Sequence, residues 1–104
     1  MSQVAGLFER LADKFYPPAA VGLDIVYQFE LLDGGNYFIA ISEGLCTVSE
    51  GEHEKPSIIL TMESETMASV MGGSLSSAQA FMFGKVAVKG DLSLAKRLSE
   101  IFSA

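Results

Sequence analysis

The residues best suited to metal binding or acid–base chemistry lie in one short charged segment. His53 is the only histidine, and it stands among Glu50, Glu52 and Glu54 in the stretch EGEHEKP. Imidazole and carboxylate groups are zinc ligands, so these four residues are the one candidate metal site. The stretch has the composition of a loop, however, and nothing in it would hold four ligands in place. We therefore expect no metal site and regard His53 as a solvated loop residue.

Cys46 is the only cysteine of the chain, which excludes an intrachain disulfide and a zinc site built from cysteines. Its surroundings, GLCTVSEG, are typical of a strand. We expect a small strand residue without a redox role, and a reactive thiol is the rarer alternative.

Neither the serines nor the glycine pairs form a catalytic or cofactor motif. No serine sits in a nucleophile elbow. The glycines of DGGN join two predicted strands and those of MGGS join two predicted helices, whereas a phosphate-binding loop leads from a strand into a helix. We expect no catalytic residues and no cofactor, and hence a protein that is not an enzyme.

The totals fit one small domain spanning residues 1–104. Apolar residues make up 49% of the chain, the mean hydropathy is +0.33, and no apolar run reaches the roughly 18 residues of a membrane span. The amino-terminal segment does not resemble a secretory leader, and the carboxyl terminus matches no peroxisomal tail. A cytoplasmic location is the resulting expectation.

The net charge of −6 disfavours nucleic acid as a partner. The charge is uneven, because residues 85–104 hold Lys85, Lys89, Lys96 and Arg97 against two acidic residues. One interpretation is an ordinary solvated edge strand and helix end. The other is a docking patch for an anionic membrane surface or an acidic partner.

Hydrophobic periodicity predicts nine helices and strands along the chain. Val4, Leu7, Phe8, Leu11 and Phe15 fall on one helical face, with Ser2 as N-cap, and Pro17 ends the helix. Alternating stretches predict strands at GLDIVYQFELL, NYFIAIS, LCTVSEG, SIILTM and KVAVK. Short helices, capped near Ser64 and at Ser76, precede the fifth strand, and a helix capped by Asp91 follows it. The order predicts an α+β fold with a mainly antiparallel sheet.

Four of the five methionines and two phenylalanines lie close together, within residues 62–83. Methionine adapts to irregular shapes and serves surfaces that accept varied apolar partners. These side chains could fill the gap between short helices and the sheet, or they could line a cavity for a lipid-like ligand. Composition alone leaves both interpretations open.

The stretch SVMGGSLSSAQAFMFGKVAVKGDLSLAKRLSEIF resembles the carboxyl-terminal half of the sterol carrier protein 2 (sterol-binding domain) family. The resemblance rests on Gly73, the cap Ser76, the pair Ala80-Phe81, Gly84-Lys85 and Gly90-Asp91, followed by a leucine-rich helix. The last 45 residues or so carry most of it, and the earlier part agrees in the pattern of elements.

The resemblance implies a five-stranded, mainly antiparallel sheet covered on one side by helices, with an apolar tunnel between the layers. It also implies binding, without catalysis, of a lipid such as a fatty acid, a fatty acyl-CoA, a sterol or another isoprenoid. An accessory subunit that presents a lipidic intermediate to a partner enzyme is the alternative; the oligomeric state stays open. The residues expected to line the tunnel are Phe29, Met62, Met67, Val70, Met71, Leu75, Phe81, Met82, Phe83, Leu98 and Phe102.

Overall fold

The structure, a computed structural model, describes residues 3–102. The chain begins with α1 (Gln3–Asp13) and a short 3-10 helix (Pro17–Ala20). Four strands follow: β1 (Asp24–Leu31), β2 (Gly35–Ser42), β3 (Leu45–Glu50) and β4 (Ile58–Met62). Then come α2 (Ser64–Met71), α3 (Ser77–Met82), β5 (Val86–Gly90) and α4 (Leu92–Ile101). The α+β class and all five strands predicted from the alternating patterns are confirmed.

The five strands form one sheet in the order β3-β2-β1-β4-β5. Neighbouring strands are antiparallel except β1 and β4, which run parallel, with Tyr27 opposite Ile58 and Leu31 opposite Met62. The sheet is thus mainly antiparallel, as predicted. The parallel pair exists because the chain leaves β3 at one side and must pass β2 and β1 before β4 can join the sheet.

One face of the sheet carries the core, because alternate residues of each strand point to it. On β1 these are Tyr27, Phe29 and Leu31, which are buried; Tyr37, Ile39 and Ile41 of β2 face the same way. Helix α1 covers this part of the sheet with four residues of the predicted apolar stripe, Val4, Leu7, Phe8 and Leu11. The fifth, Phe15, lies outside the helix, because α1 ends at Asp13. The predicted N-cap Ser2 lies outside the described residues.

The opposite face of the sheet is crossed by the loop of residues 51–57. Gln28 of β1 is only 2% exposed, and its side-chain carboxamide forms hydrogen bonds with the loop. Its Nε2 donates to the Gly51 carbonyl at 3.0 Å, and its Oε1 accepts from the His53 amide at 2.8 Å. The loop therefore runs over the face that the helices leave open and delivers the chain to β4.

The predicted helix caps Ser76 and Asp91 are confirmed, and α2 begins at Ser64, where the sequence predicted a helix start. Ser76 accepts from the Gln79 amide at 3.0 Å, and Asp91 accepts from the Ser93 amide at 3.0 Å. The residue before Ser64, Glu63, is at the N-cap position and makes no side-chain cap bond. The exposed carboxylate of Asp33, from the β1–β2 turn, instead accepts from the Ser64 amide and hydroxyl at 2.8 and 2.7 Å. These two hydrogen bonds lower the pKa of Asp33.

Candidate functional site

A cavity of about 530 Å³ lies between the sheet and the helices α2, α3 and α4. This volume falls in the range of about 300–1,000 Å³ that is usual for small-molecule sites. Its lining is almost entirely aliphatic, aromatic or thioether. The cavity is therefore suited to an apolar ligand and offers almost nothing to a polar one.

The floor of the cavity is one corner of the sheet. It consists of Phe29 of β1, Leu60 and Met62 of β4, and Val86 and Val88 of β5. These residues share a face because Phe29 pairs with Leu60, Leu60 with Val88, and Met62 with Val86. The alternation in KVAVK that separates the valines from Lys85 and Lys89 thus places the valines beneath the cavity.

The walls come from all four α-helices, and α2 to α4 supply most of them. Lining residues on the helices are Leu11, Met67, Val70, Met71, Ala78, Ala80, Phe81, Met82, Leu92, Ala95, Lys96, Leu98 and Ser99. Helices α2 and α3 span only 8 and 6 residues. Two such short segments joined by glycines cannot cover the sheet as closely as one long helix, and the space between them and the floor is the cavity.

The cavity opens to solvent beside α3 and the start of α4. Met82 is 78% exposed, Leu92 is 57% exposed and Phe81 is 53% exposed, although all three line the cavity. Large apolar side chains that are exposed together are uncommon on a protein surface and usually mark a site of contact. The opening therefore gives an apolar ligand a direct path from the surface to the floor.

Eight of the eleven residues predicted to line a tunnel are brought together around this cavity. They are Phe29, Met62, Met67, Val70, Met71, Phe81, Met82 and Leu98.

The structure places the other three elsewhere. Phe102 is buried in the core, with its ring 5.8 Å from that of Phe15. Phe83 follows α3 and is 64% exposed. Leu75, in the turn between α2 and α3, lines a smaller polar cleft with Glu63 and Lys85 rather than the cavity.

The sequence reasoning missed a stripe on α4. Leu92, Lys96 and Ser99 line the cavity and are spaced i, i+4 and i+7, so they share a helical face. The apolar periodicity of α4 predicts a buried face of Leu94, Ala95, Leu98, Ile101 and Phe102. It therefore makes the face that carries Lys96 look like an ordinary solvated surface. In the sequence, the only sign of this stripe is that an apolar residue, Leu92, lies one turn before Lys96.

Two hydrogen bonds fix the helices at the two ends of the site. The Tyr27 hydroxyl donates to the Leu94 carbonyl at 2.8 Å, which fastens α4 to the middle of the sheet. Burial raises the pKa of Tyr27 well above its usual value, so the hydroxyl stays protonated and able to donate. Lys14 Nζ donates to the Met71 carbonyl at 3.2 Å and ties the end of α2 to the segment that follows α1.

His53 serves the loop in which it lies. Its Nδ1 accepts from the Lys55 amide at 3.0 Å, and its ring meets Phe38 edge-on with 5.2 Å between centroids. The residue is thus packed against the open face of the sheet rather than free in solvent, which corrects that expectation. Among residues 3–102 no group of three or more His, Cys, Asp or Glu side chains is placed to hold a metal ion.

Cys46 lies in β3, as predicted, and pairs with Ile41 of β2. Partial burial raises the pKa of its thiol, which lowers the fraction of reactive thiolate. Within the described part of the chain, no helix is both long and apolar enough to cross a membrane.

Curated relatives are similar over most of this chain but are far longer. Hydroxysteroid dehydrogenase-like protein 2 of Rattus norvegicus is 33% identical over 81 residues, which is 75% of this chain and 16% of the relative. The chain thus spans about a sixth of that protein's length.

Solved structures share the fold. Sterol Carrier Protein-2 from Aedes aegypti, in complex with palmitate, superposes with a TM-score of 0.74 at 24% identity, covering 99% of this chain and 97% of that one. A variant of the sec-alkyl sulfatase PisA1 from Pseudomonas sp. superposes with a TM-score of 0.79 at 23% identity. That match covers 92% of this chain and 15% of the sulfatase.

The family profile described as the SCP-2 sterol transfer family matches residues 5–103. The match includes every described strand and the whole lining of the cavity. The chain therefore belongs to the SCP-2 sterol transfer family.

Proposed function

We propose that this protein binds a lipid in the cavity between its sheet and α2–α4 and releases it to a membrane or another acceptor, without catalysing a reaction. The ligand is a fatty acid, a fatty acyl-CoA, a sterol or another isoprenoid. The observation that carries the proposal is the apolar cavity of about 530 Å³ with an exposed apolar mouth. The palmitate bound by the Aedes aegypti relative of the same fold supports it.

The energetics of such a site favour long chains. Each methylene that moves from water into an apolar cavity contributes about 0.8 kcal/mol. The floor of Leu60, Met62 and Val88 offers a chain only hydrocarbon and thioether contacts. Affinity should therefore rise with chain length until the cavity is filled, and polar small molecules should bind poorly.

The test is native mass spectrometry of the freshly purified protein, followed by extraction and identification of any bound lipid. The expected result is a co-purified lipid that leaves on delipidation and is replaced by an added fluorescent fatty acid. A protein that arrives empty and binds none of the four lipid classes would contradict the proposal.

A second candidate function follows from the lengths of the relatives. The dehydrogenase-like protein and the sulfatase each contain a region similar to this chain within a much longer polypeptide. The chain would then present a lipidic intermediate to a partner enzyme. Affinity purification distinguishes the two candidates. If the protein is purified without lipid and captures one enzyme reproducibly, the result favours presentation of an intermediate to that enzyme over binding and release of a lipid.

The mouth of the cavity also has the composition of a membrane contact. Phe81, Met82 and Phe83 are exposed on α3 and just after it. Lys85, directly before β5, and Lys89, in β5, are exposed as well. We expect the apolar residues to touch the bilayer and the cations to attract anionic head groups.

Salt tests this contact. The attraction between surface charges fades over about 8 Å at physiological ionic strength, so added salt should slow transfer to anionic vesicles. Equilibrium binding of an uncharged lipid provides the control and should not change. If transfer does not depend on salt, Lys85 and Lys89 do not attract the membrane. Their role would then be to protect the sheet edge from pairing with other chains.

A further inference from the structure

Of the residues that the structure describes, Lys96 is the only charged one that lines the cavity. It lies in α4 between Leu92 and Ser99, which line the cavity one turn before it and one turn after it. Lys96 is itself exposed, so its position is at the mouth rather than at the floor. A lysine placed in this way can lay its four-carbon stem along an apolar wall and keep its ammonium group in contact with water.

The other polar side chain of the lining is already engaged. Ser99 Oγ donates to the Lys96 carbonyl at 3.3 Å, one turn back along the helix. The ammonium group of Lys96, by contrast, makes no hydrogen bond or ion pair with any of residues 3–102. Among the described side chains of the lining, Lys96 is therefore the one with free hydrogen-bond donors and a positive charge.

Within the described part of the chain, no aspartate or glutamate lines the cavity. The whole chain has a net charge of −6, yet an anionic group at the mouth would meet a cation and no carboxylate of the described lining. An anionic head group would form a charge-assisted hydrogen bond with an ammonium group, and such bonds are stronger than bonds between neutral groups.

We propose that Lys96 makes this cavity selective for single-chain lipids with a carboxylate head group, by pairing with that head group at the mouth while the chain occupies the apolar interior. The inference rests on the proposed lipid binding and adds the ligand class and its orientation. The chain enters first, toward Phe29 and Met62 of the floor, and the carboxylate stays beside α4.

The test compares two ligands of equal chain length, palmitate and hexadecanol, in titrations of the delipidated protein without vesicles. Wild-type protein should bind palmitate more tightly than hexadecanol. Lys96→Met keeps the stem and removes the charge; it should weaken palmitate binding about fivefold, the size expected for a solvent-exposed charge pair. Its affinity for hexadecanol should be unchanged. Lys96→Arg should retain the preference for palmitate.

Lys55→Met is the matched control, since it makes the same chemical change in the loop on the opposite face of the sheet. It should leave both affinities unchanged. Equal losses for palmitate and hexadecanol in Lys96→Met would overturn the inference, because they would indicate an altered wall rather than a lost charge. No loss for palmitate, or the same loss in Lys55→Met, would overturn it as well.

The result also separates this inference from the proposed function. If wild-type protein binds both ligands without preference and Lys96→Met changes neither affinity, lipid binding stands and the role of Lys96 is wrong. If wild-type protein binds neither ligand nor a sterol or acyl-CoA, the proposed function itself fails and Lys96 has no head group to bind.

Discussion

The helical layer covers the same face of the sheet in two different ways. Over β1 and β2, α1 packs closely: Phe8 is 1% exposed, and its ring centroid lies 4.5 Å from that of Tyr37 and 5.2 Å from that of Phe29. We call this region the packed half. Over β4 and β5, the helices α2, α3 and α4 stand off the sheet and leave the cavity. We call this region the cavity half.

The difference follows from helix length and residue type. In the packed half one helix of 11 residues presents a continuous apolar stripe. In the cavity half the cover is divided at Gly72 and Gly73 and again at Gly84, and its apolar residues include Met67, Met71 and Met82. Flexible thioether side chains adapt to a changing volume at little cost. The packed half thus maintains the fold while the cavity half can gain or lose a ligand.

Removing one aromatic ring from each half tests directly whether the two halves differ in how closely they are packed. Phe8→Ala should lower the free energy of unfolding by about 3–5 kcal/mol, because it removes a fully buried ring from a close-packed site. Phe81→Ala, at the exposed mouth, should cost less than about 1 kcal/mol. Urea unfolding of delipidated protein measures both. Similar losses would show that the cavity half is packed as tightly as the other.

Gly90 tests whether the backbone of the cavity half is as adaptable as its side chains. Its φ is +111°, and an added Cβ would lie 2.8 Å from the Ser57 carbonyl oxygen and 3.0 Å from the Ile58 Cα. Gly90→Ala should therefore cost about 3 kcal/mol of unfolding free energy, from backbone strain and from the close approach.

Gly84→Ala is the matched control, since Gly84 also has a positive φ, of +72°, but open space around it. It should cost only the strain, about 1–2 kcal/mol. Chemical denaturation gives the difference between the two variants. Equal losses of unfolding free energy in the two variants would mean that β5 can move away from β4. The floor of the cavity would then be as deformable as its walls.

A larger side chain should have different effects in the two halves: weaker lipid binding in the cavity half and lower stability in the packed half. Met71→Trp should change the stability of the delipidated protein little, because the indole can enter ligand space. It should weaken binding of a long acyl chain about tenfold if it displaces about two methylenes. Leu7→Trp, on the packed stripe, should cost about 1–3 kcal/mol of stability and leave lipid affinity unchanged.

Thermal unfolding and titration with a fluorescent fatty acid measure the two effects. A destabilised Met71→Trp protein with intact affinity would remove Met71 from the site. It would also show that the space under α2 is too small to receive the indole ring.

The smallest expected effect lies where the two halves meet, at Tyr27. Tyr27→Phe removes the hydrogen bond to the Leu94 carbonyl and should cost about 1 kcal/mol at neutral pH. The sign of the pH effect follows from the raised pKa of Tyr27. Above a pH of about 10 the unfolded tyrosine loses its proton while the folded one keeps it, so wild-type stability should fall as the pH rises.

Tyr27→Phe should lose less stability over the same alkaline range. Unfolding free energies of the two proteins between neutral and alkaline pH provide the measurement. Parallel curves would indicate that the Tyr27 hydroxyl reaches solvent and does not fasten α4 to the sheet.

The strands could be predicted because they follow from alternation, but only Phe29 and Met62 of the cavity floor were among the residues predicted to line a tunnel. In KVAVK the valines alternate with lysines and alanine, and this places Val86 and Val88 on one face whatever the tertiary structure is. The Met-rich helices were predictable as a group for a similar reason. Met67, Val70 and Met71 of α2 share a helical face and line the cavity, whereas Phe81 and Met82 of α3 are exposed at its mouth.

What could not be predicted depends on contacts between distant residues. The local sequence predicted that α2 begins near Ser64, but it gave no sign that Asp33 of the β1–β2 turn, 31 positions away, accepts a hydrogen bond from the Ser64 amide. Phe102 and Leu98 lie on the same predicted face of α4, yet Leu98 lines the cavity and Phe102 packs on Phe15. Periodicity identifies the apolar face of a helix but does not divide that face between a core and a cavity.

The loop of residues 51–57 has a consequence for the order in which the protein folds. The strands β1, β2 and β3 are joined by short turns and can pair through local contacts, whereas β4 must wait until the loop has crossed them and been held by Gln28. Contacts that close long loops form late, because their entropic cost precedes their gain. We therefore expect β1, β2 and β3 to form the folding nucleus and the cavity half to condense onto it afterwards. Substitutions in the cavity wall should then speed unfolding and leave the folding rate nearly unchanged.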